Sequence, residues 1–133
     1  MARFALDSWS LVSFFRHEPA APRVREFLEA ARRGEHELYI TVVNLGEVSY
    51  TIESRQGLEV AKDALLLVDS YAVRTFDIDR LFALEAAKLK ATRGLGYADC
   101  FAAALAQRLE ATVLTGDRDF QRVEDLVPIE WLI

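Results

Sequence analysis

Short apolar runs alternate along this chain with longer segments of helical periodicity, and that alternation restricts the fold more than any other feature. Residues 3–6, 38–41, 72–76, 112–115 and 127–131 are runs of strand length, rich in β-branched or aromatic side chains. Between them, apolar residues recur at helical spacing. Trp9, Leu11, Val12, Phe14 and Phe15 mark a short, strongly buried helix. Residues 23–33 place Val24, Phe27, Leu28 and Ala31 on one face, and Gly34 ends that segment. Residues 43–55 stop before Gly57, and 58–70 come next with Val60, Ala61, Ala64, Leu65 and Val68 as the apolar set. Residues 79–92 present Leu81, Leu84, Ala87 and Leu89. Gly94 and Gly96 open a loop before an alanine-rich helix at 98–110.

Strands separated by helices imply a parallel sheet, because parallel neighbours need a crossover between them. The expected architecture is a single α/β domain over residues 1–133, with about five parallel strands and helices on both faces. The crossovers should be right-handed. Run 127–131 contains Pro128, which cannot donate to a ladder and so belongs at a sheet edge. Residues 17–22, with Pro19 and Pro22, read as a turn.

At 52% hydrophobic residues, the chain is not a disordered tail or linker. Cys100 stands alone and can form no internal disulfide, which fits a reducing cytoplasm. The opening M-A-R-F-A-L-D places an acid where the core of a signal peptide would continue, and no apolar run reaches membrane-spanning length. A cytoplasmic location without membrane contact is therefore expected. The net charge of −5 argues against gripping nucleic acid through bulk positive charge. Five of the negatives are Asp7, Glu47, Asp99, Asp117 and Asp119; a metal neutralising them would remove the whole excess.

These acids occupy comparable places. Asp7 succeeds the first apolar run and Asp117 succeeds the fourth, in A-T-V-L-T-G-D-R-D-F, where Gly116 breaks the strand. Glu47 and Asp99 lie near helix starts. Each has an ordinary reading. Asp7 and Asp99 suit helix N-caps, Glu47 suits a helix dipole, Asp117 suits an Asx turn, and Asp119 suits a solvated surface. Together they suggest more, because strand ends and helix starts share one edge of a parallel sheet, where such folds bind ligands. Two carboxylates 4 Å apart repel by about 4 kcal/mol at an effective dielectric of 20. A cluster of four needs protons or a cation, and oxygen donors without a Cys or His group favour Mg²⁺ or Mn²⁺ over zinc.

The motifs F-A-L-D-S, Y-I-T-V-V-N-L-G-E-V, Y-A-D-C-F-A-A-A-L-A and V-L-T-G-D-R-D-F carry a family resemblance. Over essentially its whole length the chain resembles the PIN-domain nucleases, and among them the VapC-type toxins of toxin–antitoxin pairs. The resemblance implies catalytic acids at Asp7, Glu47, Asp99 and Asp117, with Asp119 as an auxiliary. Two positions depart from the pattern. Trp9 stands where the family often has Ser or Thr two residues after the first Asp, and Asn44 stands where Thr or Ser is common.

The activity implied by the resemblance is metal-dependent hydrolysis of RNA phosphodiester bonds, leaving a 5′-phosphate and a 3′-hydroxyl. Asp7, Asp99, Asp117 and, more loosely, Asp119 are the expected ligands of Mg²⁺ or Mn²⁺. Glu47 is expected to orient the attacking water or hold a second ion. Lys90, Arg93 and Arg118 are candidate phosphate binders, although a solvated helix face or an ion pair explains them equally well. His17 and His36 fall in predicted turns and read as surface; Trp9, Phe14, Phe15 and Tyr50 read as core. The resemblance also implies a homodimer and a cognate antitoxin covering the acidic cleft. Two other readings compete. One is a fold of this kind acting as a binding module without turnover, which would have no need of the acidic repulsion. The other is a phosphoacceptor receiver domain, for which Asp77 is placed but a lysine after a later strand is missing.

Overall fold

Five parallel strands form the centre of the molecule, described over residues 1–133 by a computed structural model. They are β1 (Ala2–Leu6), β2 (His36–Thr41), β3 (Arg74–Phe76), β4 (Thr112–Thr115) and β5 (Ile129–Trp131), in the order β3-β2-β1-β4-β5. Every neighbouring pair is parallel. The Pro128-containing run is indeed at an edge, and only its last three residues pair. The third run is likewise shorter than expected, because Ala72 adopts φ 60° and keeps the chain out of extended geometry until Arg74.

Six α-helices connect the strands: α1 (Ser8–Phe15), α2 (Ala21–Arg32), α3 (Val42–Gln56), α4 (Leu58–Ser70), α5 (Arg80–Arg93) and α6 (Tyr97–Leu109). A 3₁₀ helix, Arg118–Val123, comes after β4. Local signals account for several starts. Asp7, Thr41 and Asp79 cap α1, α3 and α5 by accepting the backbone N–H groups of Ser10, Asn44 and Phe82. The turn ends earlier than expected, since α2 already holds Pro22 in its first turn, where a missing N–H costs nothing.

The two-residue period of the strands divides the interior. Phe4 and Leu6 of β1, Leu38 and Ile40 of β2, and Leu114 of β4 join one core with α1 to α4. Ala5, Tyr39 and Val113 face the other core with α5 and α6. The small residues Ala102, Ala103, Ala104 and Ala106 are all buried in α6, which packs directly on β1, β2 and β4.

The apolar face expected for the helix at 79–92 holds at Leu89 but not at Leu81 and Leu84. Leu81 and Leu84 are 62% and 56% exposed, whereas Phe82 is fully buried with Ala86 and Leu89. Counting leucines pointed to one stripe; the large aromatic ring, which stacks on Phe101, decides the other. Val60 is also outward, while Ala61, Ala64 and Val68 face the core. In α1, Leu11 and Phe14 are buried, but Trp9, Val12 and Phe15 are only partly covered. His36 is not in a turn: it begins β2, and its Nδ1 is buried without a hydrogen-bond partner. His17 does lie in the exposed turn, at φ 55°.

This reversal yields a direct test. Phe82→Ala should lower unfolding free energy by about 3–5 kcal/mol, whereas Leu81→Gln and Leu84→Gln should each change it by less than about 0.5 kcal/mol. Urea denaturation of the three variants at low protein concentration measures the difference.

Candidate active site

The strand order reverses at β1, which has β2 on one side and β4 on the other. Open parallel sheets form a crevice beyond the carboxyl ends of the two strands at such a point. Asp7 and the Gly116–Asp117 exit leave β1 and β4 there. The two aspartates are thus brought together by topology before any side-chain preference is considered.

Asp7 is fully buried. One carboxylate oxygen, Oδ1, accepts the Ser10 backbone N–H at 3.0 Å, and Oδ2 accepts the Thr115 hydroxyl. Desolvation raises its pKa from 3.8 to about 7, against the lowering effect of the Thr115 and Ser10 hydrogen bonds and with a further push from Asp117. The Thr115 hydroxyl oxygen also accepts the Asp117 backbone N–H at 3.0 Å. One buried hydroxyl therefore ties the first acid to the last. Asp117 in turn accepts the Asp119 N–H at 3.0 Å, the Asx arrangement that its sequence context suggests.

Asp99 is not an N-cap. Gly96 holds that place, and Asp99 is in the first turn of α6. A Cβ on Gly96 would approach Asp99 Oδ2 to 3.3 Å, so a bare backbone there leaves room for the carboxylate. Asp99 is also raised to about 7, first by desolvation and then by the charges of Asp7, Asp117, Glu47 and Asp119. All five acids therefore share one electrostatic neighbourhood. Glu47, half-buried on α3, accepts the Ser8 hydroxyl at 2.9 Å.

Asn44 positions α3 against α6. Its fully buried side chain donates from Nδ2 to the Ala98 carbonyl at 3.0 Å, and its Oδ1 accepts the Thr41 hydroxyl at 2.7 Å. Ala98 immediately precedes Asp99, and Glu47 lies one turn beyond Asn44, so this amide relates the two acids. Thr115 and Asn44 were not read from sequence as site residues. The signal available for Asn44 was its departure from the family pattern, and for Thr115 a polar side chain at the end of an apolar run.

None of the five acids has a lysine or arginine partner; the salt bridges lie elsewhere. No three Asp, Glu, His or Cys side chains are drawn together closely enough to enclose an ion outright. The two observations concern different ranges, since charges act over several ångströms and ligation over about 2 Å. Protein donors also hold Asp7, Glu47 and Asp117 by particular oxygens. The set is all-oxygen and acidic, with no lysine or arginine paired to it, which fits a hard divalent cation such as Mg²⁺ or Mn²⁺.

The candidate phosphate binders separate. Arg93 Nη1 pairs with Asp125 at 2.6 Å and donates to the Arg122 carbonyl. Arg118 donates to the Ile133 carbonyl at 2.6 Å and lies over the Trp131 ring. Lys90 is exposed and makes no ion pair, and its charge is felt at Cys100, beside Asp99. Lys90 is thus the free cation among the three.

The raised acids set a pH dependence. Between their ordinary value of 3.8 and about 7, Asp7 and Asp99 hold protons in the folded chain that the unfolded chain has lost. Stability should therefore fall as pH rises through that window. Glu35, Glu37 and Asp125, whose pKa values are lowered, act with the opposite sign but below their ordinary range. Urea melts in EDTA should show decreasing stability from pH 5 to 7.5, and added Mn²⁺ should stabilise more at pH 7.5 than at pH 5.

Comparison with known proteins agrees with this geometry. The PIN domain family model matches residues 4–126. Among solved structures, VapBC2 from Rickettsia felis bound to a promoter DNA fragment is similar, with TM-score 0.72 and 20% identity over 98% of each chain. DNA-bound VapBC from Salmonella typhimurium gives 0.71 and 20% over 100% of each. VapC20 of Mycobacterium tuberculosis, a sarcin–ricin-loop-cleaving toxin, gives 0.69 and 13% over 84% of this chain and 87% of that one. No curated protein matches. With a match across nearly all of its length and the strand order and acid placement described, the chain belongs to the PIN domain family.

Proposed function

We propose that this protein is a metal-dependent endoribonuclease and the toxin of a toxin–antitoxin pair. The observation that carries the reading is the shared field of Asp7, Glu47, Asp99, Asp117 and Asp119 beyond the carboxyl ends of β1 and β4, with no basic partner for any of them. Burying mutually repelling carboxylates costs stability. A chain that keeps them uncompensated has a use for a cation.

In this reading Asp7, Asp99 and Asp117 hold Mg²⁺ or Mn²⁺, and Asp119 contributes more loosely. A divalent cation bound there lowers the pKa of its water and offsets negative charge on the scissile phosphate. Glu47, with one oxygen engaged by Ser8, keeps the other available to orient the attacking water. Tyr50 stands 3.5 Å from that second oxygen, at the limit of a hydrogen bond. Lys90 supplies positive charge for the RNA backbone. Arg93 and Arg118, committed to internal partners, act on the phosphate only by exchanging them. The toxin assignment draws support from VapBC and VapC structures of similar fold. The exposed Leu66, Leu81 and Leu84 give a homodimer or an antitoxin apolar surface to cover.

Asp99→Asn is the most informative variant, because no hydrogen bond of the fold uses the Asp99 side chain, whereas Asp7 caps a helix. Labelled transfer and ribosomal RNAs should be cut with Mg²⁺ or Mn²⁺ and not with EDTA, and Asp99→Asn should slow cleavage by about 100-fold or more. Cutting that survives EDTA or the substitution would sink the proposal.

A further inference from the structure

Gly116 and Trp9 make a contact that the acids alone do not require. Gly116 comes after β4 and immediately precedes Asp117; Trp9 is in the first turn of α1, two residues after Asp7. A Cβ placed on Gly116 would lie 2.2 Å from Cη2, 2.5 Å from Cζ3 and 2.7 Å from Cζ2 of the Trp9 indole. No side chain fits in that space. Gly116 is not among the residues with positive φ, so glycine is demanded here by room and not by backbone conformation. The six-membered ring rests directly on the exit of β4.

The consequence lies in what each partner is attached to. Asp7 caps the helix that carries Trp9, and Gly116 carries the chain into Asp117. The Thr115 hydroxyl fixes one side of this junction through Asp7 and the Asp117 N–H. The indole fixes the other. We propose that Trp9 is a positioning residue: packed on Gly116, its ring sets Asp117 and the start of the 3₁₀ helix at Arg118–Val123 against Asp7. The proposal rests on the reading of these acids as a cation site, and it assigns a role to a residue where the family pattern has a small hydroxyl side chain.

The test is a double-mutant cycle read by Mn²⁺ affinity, with calorimetric titration of wild type, Trp9→Ala, Gly116→Ala and the double variant. Circular dichroism checks that each is folded, and Trp9→Phe serves as the milder substitution. Gly116→Ala should weaken Mn²⁺ binding by about tenfold or more, the range for residues that orient metal ligands. Trp9→Ala should also weaken it, and Trp9→Phe less so. Removing the ring makes room for the methyl group, so the double variant should bind better than the product of the single losses predicts. Additive losses, or wild-type affinity in folded Gly116→Ala, would overturn the proposal. A wild-type protein that binds no Mn²⁺ would instead defeat the cation reading. In that event the contact is judged in a Trp131→Phe background, where Trp9 is the only indole. Unchanged Trp9 fluorescence on adding Gly116→Ala would then reject it as well.

Discussion

The buried carboxylate of Asp7 is the interaction on which the rest of this structure depends. It joins three pieces of chain: its own strand β1, the first turn of α1 through the Ser10 N–H, and β4 through the Thr115 hydroxyl. A fully buried carboxylate is costly to desolvate, and two hydrogen bonds offset only part of that cost. The raised pKa shows the remainder. The same residue therefore orders the centre of the sheet and leaves it electrostatically incomplete. A structural N-cap would do the first without the second if it lay at the surface.

The other acids are arranged around this residue by separate means. Topology brings Asp117, because β4 lies beside β1. A glycine-capped helix start brings Asp99, and the Asn44 amide holds that start against α3, which carries Glu47. No single element contributes two of these four acids. Their mutual field is consequently a property of the assembled fold, and Asp99 feels all the others with no salt-bridge partner to offset them. Strongly perturbed carboxyl groups gathered at one place in a fold are characteristic of functional sites.

Much of this arrangement was legible in the chain itself. Residues 58–70 and 112–115 form elements with the expected bounds, and the alternation of runs indicated a parallel sheet of five strands. The acids were legible because Asp and Glu are conspicuous at the ends of apolar runs. What escaped depends on distance across the fold. Thr115 looks ordinary in sequence and Asn44 shows only as a departure from the family pattern; their roles come from partners 108 and 54 residues away. The outward turn of Leu81 and Leu84 reflects a choice between two stripes of similar hydropathy, settled by where Phe82 finds Phe101. Arg93 and Arg118 looked available because their partners, Asp125 and the β5 end, give no local hint of proximity.

The contrast between a helix cap and a metal ligand, natural when the sequence is read alone, proves to be a false choice at two positions. Asp7 does cap α1, and Asp117 does close an Asx turn. A carboxylate has two oxygens and about four lone-pair sites, so Asp7, each of whose oxygens accepts one hydrogen bond, and Asp117, which accepts one N–H, both keep lone pairs for a cation. These hydrogen bonds also do for the site what a flexible acid could not: they hold the carboxylate in one orientation and so fix where its remaining lone pairs point. Asp99 is the complementary case, with no hydrogen bond to hold it and no capping duty. A site built this way has rigid acids that belong to the fold and one free acid that can adjust to what binds. Loss of a rigid acid would therefore disturb structure and chemistry together, while loss of Asp99 would separate them.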